Sequence, residues 1–392
     1  MTTLPSPQPS PPTLTARAGR FVATAAPRRL DWPMLLAVAA LSGIGVLLVW
    51  SATYDPSDPD GAVGYVERQV GHLAVGAVAL LVVAAVDFRV SRAYAPFVYL
   101  AAVLGLALVL TPLGETINGS RSWLVVAGLQ MQPGELAKLG LLLAVAVLLG
   151  EPRDGEFAPT SRDVLFSLAV LAAPLGLILA QPDLGTAMVL TGTYMGMLLL
   201  SGAPVRWVVG LVGCGLLAAF SVWWFGLLKD YQLERFTTFF NPSADPRGTG
   251  YNANQSMIAV GSGGLNGTGL LEGEHTRGRF VPEQHTDFIF TVAGEELGFV
   301  GGAVIIGLIA FVMWRILRTA GRSGDPYARL LCVGAATWLG FQSLINIGMT
   351  LGVAPITGIP LPFVSYGGTA AVANMAALGL VLNVHARERG VH

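Results

Sequence analysis

Long stretches of this chain carry no charged side chain. Residues 33–50, 73–86 and 139–150 are such runs, and similar ones recur to the end of the sequence. A helix that crosses a bilayer needs about 17–25 mostly apolar residues, and repeated runs of this kind fit that requirement. Composition agrees: hydrophobic residues fill 53% of the 392 positions and charged residues 12%, against about 25% charged in an ordinary soluble domain. The 23 basic and 24 acidic residues nearly cancel, so no positive excess points to nucleic acid. A soluble enzyme, a nucleic-acid binder and a disordered protein are excluded, and an all-α polytopic membrane protein is expected.

Ten spans are expected, at about 33–53, 69–87, 93–112, 134–150, 163–181, 184–202, 205–227, 286–316, 328–352 and 366–386. The eighth is long enough to be tilted or to carry a lead-in turn. With the N-terminus in the cytoplasm, fifteen of the 23 basic residues fall on the inner flanks and seven outside, while Lys138 lies within a span. Five of those seven belong to one long loop, where the charge rule is weak. Both termini are thus expected inside. Residues 1–30, rich in Pro, Ser, Thr and Ala, read as a disordered cytoplasmic arm ahead of a transmembrane domain over 31–392. Residues 228–285 form a long extracytoplasmic loop between helices 7 and 8, expected to pack on the membrane; loops of this length are usually functional or disordered. Two further outer segments are 113–133 and 353–365. Cys214 and Cys332 sit in apolar runs and read as small packing residues. No internal repeat supports an inverted-repeat transporter.

Ionisable groups inside a bilayer cost at least about 2.5–3.5 kcal/mol on insertion scales, and they tend to mark function. Asp87, Asp163, Arg206 and Arg315 sit at inner span edges and can reach water. What remains is Glu135, Lys138, Asp183, Asp287, Glu295, Glu296 and His72. Under the orientation above, all of them fall in the outer half. That points to a polar site open to the outer side, where a transporter would have one near the midplane.

Each residue has a plainer reading beside the functional one. Glu135 and Lys138, at i and i+3, can pair along one helix face or leave the ammonium facing a substrate. Asp183 can be the N-cap of the sixth span or a site residue. Asp287 can be a helix-start carboxylate favoured by the macrodipole. Glu295 and Glu296 lie about 80° and 180° around a helix from Asp287, so both are expected to be structural, paired with another span. His72 reads as a hydrogen-bonded packing residue and Trp123 as an interfacial one. The segment 261–267 is Gly-rich but has no P-loop lysine and no preceding strand, so it is not read as a nucleotide site. Glu272, Glu274, His275, Glu283, His285 and Asp287 match no zinc spacing.

Taken together, these motifs resemble the SEDS family (shape, elongation, division, sporulation) over residues 33–387, and most nearly its rod-shape branch. The similarity rests on Pro282-Glu283-Gln284-His285-Thr286-Asp287-Phe288-Ile289-Phe290, on Gly294-Glu295-Glu296-Leu297-Gly298, and on the segment from Gly358-Ile359-Pro360-Leu361-Pro362 to Ser365-Tyr366-Gly367-Gly368. It also rests on Gly119-Ser120-Arg121-Ser122-Trp123, Gln132-Pro133-Gly134-Glu135-Leu136-Ala137-Lys138, Gln181-Pro182-Asp183-Leu184-Gly185-Thr186 and Gln255-Ser256. Gly134 stands where the family usually has Ser, which leaves Glu135 and Lys138 in place. Gln181 before Pro182-Asp183 leans toward the rod-shape rather than the division branch.

The resemblance implies a peptidoglycan glycosyltransferase that polymerises lipid II on the outer face of the bacterial plasma membrane. It implies a class B penicillin-binding transpeptidase as partner, beside other elongation-complex membrane proteins and membrane lipids. A sugar 4-hydroxyl attacks the anomeric carbon of a lipid-pyrophosphate sugar with inversion, and Asp287 matches the family's essential aspartate as general base. The pyrophosphate calls for positive charge, with Lys138 and Arg121 as candidates and Arg235 and Arg279 behind them. Asp183 would orient Lys138 or hold a divalent cation, Trp123 would stack on a sugar or lipid, and Glu135, Gln255 and Ser256 complete the expected substrate site. No nucleotide is required. The rival readings are a lipid II flippase and a scaffold for wall enzymes.

Overall fold

A computed structural model describes residues 30–117, 120–126, 129–151, 158–226 and 249–388. All but the last residue of the 1–30 arm lies outside this set, as do residue 227, residues 228–248 of the long loop and, with them, Arg235. The ten expected spans are present as helices α1 (Trp32–Thr53), α2 (Pro59–Ala85), α3 (Phe88–Val109), α4 (Pro133–Gly150), α5 (Ser161–Ala180), α6 (Leu184–Leu200) and α7 (Val205–Trp224), then a broken eighth, then α12 (Pro326–Thr350) and α13 (Gly368–Glu388). Among the described residues eight helices are long and apolar enough to cross a membrane, and two shorter apolar ones match spans six and seven.

Short polar residues start these helices. The carboxylates of Asp31, Asp58, Asp87, Asp183 and Asp325 each accept a backbone N–H from the first turn of the helix that follows, and a Thr160–Asp163 capping box opens α5. Such caps satisfy N–H groups that have no partner within the helix. α4, α12 and α13 are mostly enclosed by other helices, whereas α2, α3 and α11 (Gly298–Arg322) turn most of their length outward.

One end of the bundle carries a small antiparallel ribbon of three strands, β1 (Gly114–Ile117), β2 (Ser120–Val126) and β3 (Leu129–Met131), paired in that order. The sequence alone gives 113–133 only as an outer segment. The overlooked signal is Asn118-Gly119, a strong hairpin dipeptide, placed between flanks that pair Thr116 with Arg121 and Glu115 with Trp123. We call this the ribbon end. At the opposite end Arg315 pairs with Asp31, Arg92 with Asp325 and Glu151, and Arg387 with Asp87. These pairs fasten α1 to α11, α3 to α12 and α2's exit to α13.

The eighth span is not one helix. α8 (Thr249–Ser262) and the short α9 (Glu274–Arg277) precede it, and it divides into α10 (Ile289–Glu296) and α11 at Leu297–Gly298, with Gly298 at φ +66°. A break leaves carbonyls and N–H groups without helical partners, and the Gly-rich segment supplies them. Thr268 and Gly269 donate to the carbonyls of Glu295 and Glu296 at 3.0 and 3.1 Å, while Phe299 and Val300 donate to those of Gly264 and Leu265 at 2.9 and 3.1 Å. Glycine is needed for this backbone-on-backbone contact: a Cβ at Gly263 or Gly267 would lie 2.0 Å from the carbonyl oxygen of Gly294 or Glu296. Gly267→Ala should therefore destabilise the fold by about 1–3 kcal/mol through overpacking, with added strain because φ is +80° there. Gly261→Ala, with open space around the added methyl, should leave stability unchanged or slightly raised. Thermal unfolding of the two variants in detergent checks this contrast; equal midpoints would refute it.

Candidate active site

Four segments meet at the ribbon end: 131–135, 181–186, 281–288 and 355–368. Asp287 lies in the turn before α10, where the N–H groups of Thr286, Asp287 and Phe288 converge on the Glu283 carbonyl at 3.2–3.4 Å. Its side chain rests against Gly358, at which an added Cβ would be 3.3 Å from Asp287 Oδ2 and where φ is +72°. Gly185 plays the matching part on the other side, since a Cβ there would meet the Thr357 carbonyl at 2.6 Å. Two glycines in two distant motifs thus let the 183 and 287 segments close on the 357–359 strand of chain.

The outcome is electrostatic. Burial, then the neighbouring Glu283, then Asp183 raise the Asp287 carboxyl from its ordinary value to about 7. A carboxylate near like charges and out of bulk water holds its proton more tightly. That places Asp287 where a base for neutral-pH proton transfer is most effective.

Asp183 takes the cap position: its carboxylate accepts from Thr186 N at 3.0 Å, from Thr186 Oγ1 at 2.8 Å and from Gln132 Nε2 at 3.3 Å. The capping carboxylate also lends its charge to Asp287. Gln181 ties the motif to the bundle by donating to the Leu106 carbonyl at 2.9 Å, and its own carbonyl accepts from Ser120 of the ribbon.

Lys138 and Glu135 form a closed pair. Nζ is 2.7 Å from Glu135 Oε1 and 2.9 Å from Gln342 Oε1, and the side chains are 1% and 2% exposed. Lys138 also sits over the Trp338 ring. The ammonium is enclosed by these groups. Arg121 spans the ribbon base, donating to the carbonyls of Gly114 and Thr111 at 3.1 and 2.7 Å. Trp123 is half-buried in β2. Arg279 is exposed and 3.4 Å from Asp55. Gln255 is half-buried on α8, and Ser256 is fully buried, donating to the Thr350 carbonyl at the end of α12.

Glu296 pairs with another span as expected, accepting from Ser51 on α1, whereas Glu295 and His72 depart from expectation. Glu295 instead binds the N-terminus of α9 through His275 N, Thr276 N and Thr276 Oγ1 at 2.7–2.9 Å. Its carboxylate fits there because three donors converge, as at any helix start. His72 packs edge-on against Tyr366, and its Nδ1 has no hydrogen-bond partner among the described residues. Tyr366 and Tyr65 also flank the His285 ring at 5.6 and 5.2 Å, so α2 walls one side of the site. Sequence reasoning missed Gln342 and Asn346. Two carboxamides at i and i+4 in an apolar span were the available signal. Among the described residues no three His, Cys, Asp or Glu side chains are grouped to hold a metal ion.

The profile of the cell cycle protein family that groups FtsW, RodA and SpoVE matches residues 32–390. The peptidoglycan glycosyltransferase MrdB of Escherichia coli K12 is 37% identical over 361 residues, covering 92% of this chain and 94% of that one. A solved chain from a peptidoglycan synthase complex that coordinates polymerisation and crosslinking superposes with a TM-score of 0.77 at 35% identity, covering 92% of this chain and 98% of that one. The crystal structure of the rod shape determining protein RodA of Thermus thermophilus gives 0.67 at 33% identity, covering 92% and 97%. This chain therefore belongs to the FtsW/RodA/SpoVE family, the SEDS family of cell cycle proteins.

Proposed function

We infer that this chain polymerises lipid II into glycan strands, with Asp287 as general base. It is a multi-pass membrane enzyme, a peptidoglycan glycosyltransferase, and a role in elongation fits the similarity to MrdB. The observation that carries the mechanistic reading is one carboxyl, raised to about 7, held at the ribbon end between two close backbone approaches. In the reaction the acceptor 4-hydroxyl oxygen bonds to the donor's anomeric carbon and its proton passes to Asp287. The bond from that carbon to the pyrophosphate oxygen breaks, and the lipid pyrophosphate leaves with the electron pair.

We place the ribbon end on the outer face of the bacterial plasma membrane and both termini in the cytoplasm, because the Arg-rich flanks gather at the other end. Positive charge for the leaving group is available from Arg121, which uses two of its five N–H donors on the ribbon, and from the exposed Arg279; Arg235 lies outside the described residues. Lys138, enclosed as it is, supports the site instead of touching substrate. A class B penicillin-binding transpeptidase is the expected partner, in keeping with the synthase complex that the fold resembles. No step here depends on a metal ion.

The test is purified protein in vesicles given lipid II, with and without chelator. Glycan polymer supports the assignment; translocation of lipid II without polymer would replace it by the flippase reading. The rate should also rise as pH climbs through about 7, because Asp287 is a base only once deprotonated and its raised value puts that step there. A pH–rate profile flat from 6 to 8 would remove Asp287's titration from the mechanism.

A further inference from the structure

The segment Ile359-Pro360-Leu361-Pro362 faces a problem of its own. Two of its four residues are prolines and bring no N–H, so it cannot tie itself into regular structure. Ile359 and Leu361 are nonetheless 2% and 1% exposed, and buried carbonyls need donors. Those donors come from α12. Gln342 Nε2 donates to the Pro360 carbonyl at 2.8 Å. One turn further on, Asn346 Nδ2 donates to two carbonyls at once, those of Ile359 and of Asp287, each at 2.7 Å.

The orientation of both carboxamides is fixed by chemistry. Gln342 Oε1 accepts from Lys138 Nζ and from Trp338 Nε1, each at 2.9 Å, and neither of those groups can accept in return. Nε2 must therefore face Pro360. Asn346 meets two carbonyls, which can only accept, so its NH₂ must point at them. Asn346 Oδ1 has no partner among the described residues. Both side chains are fully buried. The clamp on Asp287 thus runs without a gap from Glu135 through Lys138 and Gln342 to the 359–360 carbonyls and Asn346.

We propose that Asn346 and Gln342 are positioning residues for the glycosyl transfer: a carboxamide ladder on α12 that fixes the backbone of Asp287 against the 358–360 segment, with the buried Glu135–Lys138 pair as its anchor. This rests on the reading of Asp287 as the base. It gives the ion pair a function that involves no contact with substrate. It also explains why Asp287, whose turn is otherwise held by N–H bonds to Glu283, keeps one place relative to Gly358.

The test compares Asn346→Ala, Gln342→Glu and Asp287→Asn in the lipid II polymerisation assay, with rates expressed per folded protein. Gln342→Glu keeps an acceptor oxygen for Lys138 and Trp338, but replaces the donor to Pro360 with a second carboxyl oxygen and adds an ionisable group beside the buried pair. Misplacement of a reacting group by about 1 Å can lower a rate about 10²-fold, so kcat should fall by about 10- to 100-fold in both ladder variants. KM should be unchanged, and the rising limb of the pH–rate profile displaced. A purely structural role predicts less folded protein with wild-type kcat and an unshifted profile in what remains, and that result overturns the proposal. Should Asn346→Ala fail to fold, Gln342→Glu decides by the same readouts. If Asp287→Asn is inactive while both ladder variants turn over like wild type, the ladder alone falls; if Asp287→Asn is itself active, the base reading falls first.

Discussion

Asp287→Asn should lose polymerisation by about 10²–10⁴-fold, the usual worth of a positioned general base, while the protein folds at least as well as wild type. Asparagine has the same shape, so the contact with Gly358 survives, and the turn is held by backbone N–H bonds to the Glu283 carbonyl rather than by the side chain. What it cannot do is accept the acceptor sugar's proton. The stability half of the result follows from linkage. A carboxyl whose value is raised from 3.8 to about 7 on folding weakens the folded state at every pH above its ordinary value, because the fold disfavours the charge that the unfolded chain carries freely. Replacing it with a neutral group removes that penalty. Activity lost together with stability retained or gained is the pattern of a site residue held against the interest of the fold. Polymerisation at the wild-type rate by Asp287→Asn would end Asp287's role as base. Loss of folded protein in step with activity would make it structural.

The membrane architecture was legible because hydrocarbon imposes a single solution: runs free of charge become helices, and ten expected spans have helical counterparts. The grouping of Glu135, Lys138, Asp183 and Asp287 at one end was legible for the same reason, since a strict up-and-down path turns sequence position into an end of the bundle. What escaped was whatever depends on contacts between distant segments. The break at Leu297–Gly298 is stabilised by a loop some thirty residues earlier, about the distance at which no helical periodicity carries information. That loop's glycines lack the lysine and preceding strand of a phosphate-binding run, but their real partners, the carbonyls of the break, cannot be read from the sequence. Asp183 offered two readings that are not alternatives, because a cap can keep its charge and still raise a neighbour's proton affinity. Lys138 posed the sharpest choice, between its i, i+3 partner and a substrate. One sequence cannot decide it, because the answer depends on Gln342 and Trp338, some two hundred residues away.

That choice has a large energetic consequence. Lys138→Met should destabilise the protein by about 3–5 kcal/mol, because removing one partner of a buried pair leaves the other charge uncompensated. Glu135 would lose its only ion-pair partner among the described residues while remaining 2% exposed, and its Oε2 has no hydrogen bond to fall back on there. Gln342 would lose a donor to Oε1, though Trp338 still supplies one. The double variant Glu135→Leu with Lys138→Met removes both charges, and well-packed apolar replacements of a buried pair are often neutral or stabilising. Its thermal midpoint should therefore return most of the way to wild type. Polymerisation should not return with it, since the ladder that holds Asp287 has lost its anchor. Stability recovered without activity separates the two things this pair does. A single variant as stable as wild type would mean that water reaches Glu135, and the pair would then be open to substrate after all.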